Sequence, residues 1–370
     1  MKAKGLAKLL LWGLAILAAG ITFYRWAVGL GAVTHLSDTW PWGLWIGFDL
    51  LCGVALAAGG FTTAAVVYVF HREKYHPVAR AAILTAFLGY VLVVVALLVD
   101  LGRPWAIIHM MWMWNPHSVL FEVGCCVLLY LTVLALEFAP VVLEKWSARF
   151  GKVLDLFEKV KIALVIAGIC LSTLHQSSLG SLFLAAEHRQ NALWFTPMLP
   201  VLFFLSAVMV GPAMVIVESN ISSRALGKEL EKDVLEGLAA ALPYLAGLYI
   251  LVKFLDLGFS GDVTLLFESS RYATLFWIEI LLPVAAILIL MSRSLRKNPR
   301  AVWGGASLIV LGVVVNRLNV CLASMPDIFN GRSYFPSWQE FAVTLGVLSA
   351  GVIAYGLVAK YFKVFEEQKT

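Results

Sequence analysis

Six apolar stretches of this 370-residue chain carry ionisable side chains: Asp49, Glu122, His175, Lys253 with Asp256, Glu279 and Arg317. Such groups accept and release protons, pair with one another, or hydrogen-bond the carbonyl oxygens of a small polar head group. A charge in hydrocarbon is costly, so these residues face a bundle interior and mark a pathway or a ligand site. Asp49 ends Trp45-Ile46-Gly47-Phe48-Asp49, about 8 Å into its helix at about 1.5 Å per residue. It reads either as a carboxylate paired with Arg25 or Arg317, or as a proton acceptor and head-group partner. His175 opens His175-Gln176-Ser177-Ser178-Leu179-Gly180-Ser181, with Ser178 and Leu179 on its own helix face. That face can hydrogen-bond a carbonyl, and an imidazole titrates in a range useful for delivering protons. A structurally satisfied histidine is the alternative.

Glu122 and Glu279 lie one to two turns from their helix ends. They read as partners of Arg317 or Lys253, or as a proton relay. Asp100-Leu101-Gly102-Arg103 reads as a helix terminus with a local Asp–Arg contact, or as part of that relay. Glu137 and Glu218, toward the opposite ends of their helices, read as surface charges paired with basic loops. On that reading the carboxylates make a half-channel at best.

The elements that must position these groups are transmembrane helices. The chain is 61% hydrophobic and 14% charged, the composition of an all-α polytopic membrane protein. Ten stretches are long enough to span: roughly 7–28, 44–70, 79–100, 118–143, 157–185, 198–219, 237–259, 271–291, 300–321 and 337–364. One arrangement is an extra first helix (7–28), two four-helix bundles (44–185, helices 2–5, and 198–321, helices 6–9) and a last helix (337–364). A weak echo supports it: Trp45 precedes Gly59-Gly60, and Trp194 precedes Gly211-Pro212.

One set of loops and both termini hold 21 of the 28 Lys and Arg residues, and the opposite loops hold four. By the positive-inside rule both termini are cytoplasmic and the ionisable cluster lies in the outer half of a bacterial inner membrane. The N-terminal run continues to Leu30, so a retained helix is favoured over a cleaved signal peptide. Ten of thirteen tryptophans lie near the outer face, among them Trp26, Trp42, Trp45, Trp105, Trp112, Trp114 and Trp338. An interfacial belt would mark both faces, so the excess points to a docking surface.

Several chemistries are excluded. Haem b in a membrane bundle takes paired deep histidines, and of seven only His175 is deep. The five cysteines show no zinc or iron–sulfur spacing, and no metal-binding or nucleotide motif occurs. The net charge of +5 comes without a basic stripe, so nucleic acid is not a partner.

The stretches PWGLWIGFDLLCGVALAAGG (41–60), VYVFHREKYHPVARAAILTAFLGY (67–90), NPHSVLFE (115–122), LALEFAP (134–140), HQSSLGSL (175–182), FWIEILL (276–282) and YFPSWQE (334–340) closely resemble HybB-type subunits of the NrfD/PsrC family. Those are the membrane subunits of uptake nickel–iron hydrogenases. Sister subunits serve other periplasmic redox complexes, including multihaem cytochrome and polysulfide reductases. The resemblance implies two four-helix bundles, no haem or iron–sulfur cluster in the chain, and a menaquinone or ubiquinone pocket near the outer face. It implies electrons from a periplasmic ferredoxin-like iron–sulfur subunit, with nickel–iron large and small subunits beyond it. By position it singles out Asp49 and His175 as quinone contacts, to which Ser178 and Trp45 are adjacent. Glu122, Glu279 and Asp100 are then proton-transfer candidates, and Arg25, Arg317, Lys253 and Asp256 structural charges. A proton-translocating unit and a passive anchor are the competing roles.

Overall fold

The computed structural model describes residues 2–37, 40, 42–185, 190–227, 230–325 and 334–365, with side chains from residue 5 onward. Pro41 of the 41–60 stretch lies outside the described residues, as do His188, Arg189, Lys228, Arg332 and Lys369 and the side chains of Lys2 and Lys4, which belong to the histidines and basic residues counted above. The described residues form long helices: α1 (Lys2–Val28), α2 (Trp45–Val69), α3 (His76–Asp100), α4 (Val119–Leu143), α5 (Ser147–Leu184), α6 (Leu199–Leu226), α7 (Lys232–Ser260), α8 (Arg271–Met291), α9 (Pro299–Leu318) and α10 (Trp338–Tyr361). The protein is an all-α integral membrane protein. Helices prevail because a lipid-spanning segment must satisfy its own backbone polar groups. The apolar run Val119–Leu184 is 66 residues long, far more than one crossing needs. It reverses at Glu144–Trp146, and α4 and α5 pack along each other.

Adjacent helices pack as α2–α3, α3–α4 and α4–α5, and again as α6–α7, α7–α8 and α8–α9. Helix α1 lies against α10, which in turn packs on α3. Helices α2 and α5 both touch α6. The echoed glycines meet there. A Cβ on Gly59 would stand 3.1 Å from Val215 and 3.3 Å from the Gly211 carbonyl oxygen, and one on Gly211 would stand 3.0 Å from the Ala58 carbonyl oxygen. Small residues allow this backbone approach.

Helix α2 is not regular. It begins in π geometry (Trp45–Leu50), becomes α-helical (Leu51–Leu56), loosens at Ala57–Ala58, resumes at Gly59–Ala64 and ends in π geometry (Ala65–Val69). Helix α9 continues into a π turn at Asn319–Ala323. The two π segments abut: a Cβ on Gly47 would lie 3.3 Å from Cys321. Such π turns frequently mark functional sites.

At the end rich in tryptophan, Glu340 knits three segments together. Ser337 and Glu340 form a capping box on α10. Glu340 Oε2 also accepts from the His35 amide at 3.1 Å, its Oε1 accepts from the Tyr334 hydroxyl, and its carbonyl accepts from Trp45 Nε1 at 3.2 Å. Burial beside this carboxylate pushes the Tyr334 phenol well above its ordinary range. Beyond α3, a 3₁₀ segment (Pro104–Met111) and the following turn expose Trp105, Trp112 and Trp114.

Candidate functional site

The ionisable side chains form three clusters rather than one. The first lies between α1, α2, α3 and α10. Asp49 Oδ2 accepts from Thr344 on α10 at 2.8 Å, within electrostatic reach of Asp100. Arg25 does not pair with Asp49. Its guanidinium donates to the Leu101 carbonyl and, at 3.4 Å, to the Asp100 carbonyl, capping the end of α3. A cation at a helix C-terminus satisfies free carbonyls and suits the helix dipole. Asp100 neighbours Arg25 rather than Arg103, which is exposed. Trp45 packs here against Ile21, Val99 and Val343.

The second cluster is inside the α2–α5 group. His175 is fully buried. Its Nδ1 is 2.9 Å from the Tyr90 hydroxyl, and its Nε2 has no hydrogen-bond partner among the described residues. Gln176 donates to the Val54 carbonyl at 3.0 Å, on the loosened helix α2, while its Oε1 is unpartnered. The Tyr90 and Tyr130 rings meet edge to face, 4.7 Å apart. One turn beyond His175, the Ser178 hydroxyl sits between Glu122, to which it donates, and the Leu174 carbonyl. Glu122 itself is exposed on the flank of α4. Buried polar atoms are nearly always partnered, so the free Nε2 and Oε1 call for an explanation.

The third cluster is inside the α6–α9 group. Lys253 and Glu279 form an ion pair whose side chains are 5% and 1% exposed. Glu279 also accepts from Trp194 Nε1, Asn316 and Asn319, each at 2.9 Å. Among the described residues Arg317 has no carboxylate partner. It lies 3.6 Å over the Phe203 ring and donates to Ser206 at 2.7 Å and Asn316 at 2.6 Å. Asp256 accepts from Thr196 at 2.8 Å. A narrow crevice, with room for about one water molecule at most, lies between Trp194, Thr196, Phe203, Tyr249, Lys253, Asp256 and Asn316.

Asp49 and His175 therefore face different sides of α2 and share no partner. Glu137 and Glu218 correct their reading as charges tied to basic loops: Glu218 accepts from Tyr355 at 2.6 Å, and Glu137 lies against Gly168 and Tyr130. Tyr90, Tyr130, Thr344, Asn316 and Asn319 went unnoticed in the sequence, because neutral polar residues barely dent a hydropathy profile. Glu340 did carry a signal, the Ser337-Trp338-Gln339-Glu340 capping pattern.

Residues 32–328 match the family model described as "Polysulphide reductase, NrfD". A protein of Nitratidesulfovibrio vulgaris (strain Hildenborough) is 39% identical across 94% of this chain and 91% of its own length. The "Probable Ni/Fe-hydrogenase 2 b-type cytochrome subunit" of Escherichia coli K12 is 34% identical across 93% and 88%. The "Menaquinone reductase, integral membrane subunit" of the same Nitratidesulfovibrio strain is 26% identical across 98% and 93%. The second of these names implies a haem, whose axial ligands in a membrane bundle are paired histidines. Among the described residues His175 is deep and already bonded through Nδ1, while His35, His71, His76, His109 and His117 occupy loops or helix ends. That donor set does not fit a haem held by two histidines.

Proposed function

The chain belongs to the NrfD family of membrane subunits, and from that premise we propose that it is the quinone-reactive subunit and anchor of a respiratory redox complex. The observation that carries the reading is the buried, unpartnered Nε2 of His175, held by Tyr90 in a polar patch that includes Gln176 and Ser178. A neutral imidazole whose Nδ1 accepts the Tyr90 proton presents Nε2–H as a donor. A quinone carbonyl is the matching acceptor. The relative named menaquinone reductase supports a quinone as the substrate; its head group takes either the menaquinone or the ubiquinone form.

In this reading electrons come from a ferredoxin-like iron–sulfur subunit seated on the exposed tryptophans of the Pro104–Met111 segment and its following turn. Nickel–iron large and small subunits are the donors behind it, matching the hydrogenase relative. The tryptophan-rich end faces the periplasm and both termini the cytoplasm, following the basic-residue asymmetry. Asp49, with Trp45 one turn away, is reached around α2. It serves, with Asp100 and Glu122, as a carboxylate near the periplasmic end, while Glu279 is held by Lys253. Helices α2–α5 and α6–α9 act as two four-helix units, with α1 and α10 outside.

The test is quinone reduction by the intact complex carrying His175→Ala or Asp49→Asn. Loss of at least tenfold in the His175 variant, with assembly retained, is expected; wild-type rates in both variants sink the reading.

A further inference from the structure

Helices α4 and α10 both pack on α3 but do not run along each other, so a strip of α3 between them faces outward. Phe87 of α3 stacks on Phe138 of α4, and Leu92 lies against Gly351 of α10. At about 100° per residue, Arg80, Leu84, Leu88, Val91 and Val95 fall on the strip between those two contacts. Val95 is 43% exposed, and Leu88 and Val91 are half-buried. The strip floors an apolar trough walled by α4 and α10. Toward the basic end the turn after α10 roofs it, where Val364 is buried with Ala81, Leu84, Phe138 and Val141.

Cations gather at that roof. Arg80 holds both oxygens of Glu144, at 2.9 and 3.1 Å, and donates to the Lys363 carbonyl at 3.3 Å. Those bonds occupy the carboxylate that precedes Lys145. Lys145, Lys360 and Lys363 are exposed and, among the described residues, have no carboxylate partner. Lys145 and Lys360 both lie against the Tyr361 ring, 6.0 and 5.4 Å from its centroid. Lys145 also faces Trp146 at 5.6 Å and Phe362 at 5.8 Å. Trp146 and Tyr361 are half exposed, as residues at headgroup level are. A basic, aromatic shelf above an apolar trough between helices matches a lipid with a negative head and an acyl tail. A free phosphate would use the ammonium groups and leave the trough bare. A partner's helix would fill the trough and leave the ammonium groups unmatched.

We propose that this place holds one anionic phospholipid, its phosphate between Lys145 and Lys360 and an acyl chain on Leu88 and Val91. The lipid ties the end of α10 to α3 and α4 from outside, as Arg80 and Val364 tie it from within.

The experiment uses the full-length protein, stripped of lipid in a neutral detergent and titrated with phospholipids of identical acyl chains under native mass spectrometry. Phosphatidylglycerol should bind as one copy roughly tenfold more tightly than phosphatidylcholine. Lys145→Gln with Lys360→Gln should erase that preference and leave the melting temperature in lipid-free detergent unchanged. Lys145→Arg with Lys360→Arg should keep the preference. Lys297→Gln with Arg300→Gln removes the same charge from exposed positions at the α8–α9 connection and should change nothing. In the intact complex in native membranes, the photoreactive Val91→benzoylphenylalanine variant should label phospholipid. Equal affinity for the two lipids, or an equal loss in both Gln double variants, overturns the proposal. So does a phosphate adduct that displaces phosphatidylglycerol at constant ionic strength, which assigns the cations to a free anion. Photolabelling of a protein chain overturns it too, since a partner's helix then fills the trough.

Discussion

Removing the ammonium of the Lys253–Glu279 pair is the most revealing perturbation of the α6–α9 group. Breaking a buried ion pair from one side costs about 3–5 kcal/mol, because it strands the remaining charge. The two sides differ here. Lys253→Met leaves Glu279 with three N–H donors, from Trp194, Asn316 and Asn319, each at 2.9 Å. Its cost falls at the lower end, about 3 kcal/mol, or roughly a hundredfold in the folding equilibrium. Glu279→Gln strands an ammonium left with the neutral Tyr249 hydroxyl and the Phe276 ring, 4.8 Å to its centroid, so it falls at the upper end. The double variant removes both charges and costs less than either single one, on the order of 2 kcal/mol. The measurement is unfolding of the purified protein in mixed micelles titrated with SDS, followed by tryptophan fluorescence. A double variant whose loss equals the sum of the single losses refutes the argument, since additivity means no coupling.

Three further variants test the packing elsewhere. Gly180→Ala puts a methyl 2.6 Å from the Leu199 carbonyl oxygen and should destabilise by about 1–3 kcal/mol. Gly151→Ala, where no atom lies within 4 Å, should be neutral or slightly stabilising, and thermal melting of the two variants compares them directly. Arg25→Met removes the charged cap on α3, a loss of about 1.5–3 kcal/mol. It should loosen α1 from α3 and raise limited proteolysis in the connection after Val28.

The helices were legible because hydropathy reports a requirement that each span meets alone. The clusters were legible as costs, since a charge in an apolar run stands out at any position. Their partners were not. Thr344 is 295 residues from Asp49, and Tyr90 is 85 from His175. Neutral donors such as Asn316 and Asn319 leave almost no mark on composition. Arg25 shows the limit well: sequence reasoning looked for a carboxylate, whereas backbone carbonyls at a helix end satisfy a guanidinium as well. The broken course of α2 was half visible, in Gly59-Gly60, but its π turns were not, because they reflect packing against α9.

The glycine crossing between α2 and α6 has a mechanical consequence. Lengthwise slip of one helix past the other would drive Val215 or Thr62 into backbone, because no slack separates them from Gly59 and Gly211. Rocking about the crossing point demands no such overlap. The crossing therefore acts as a hinge pin: it forbids translation, permits a small tilt, and would carry a tilt of the helices around His175 into the helices around Lys253.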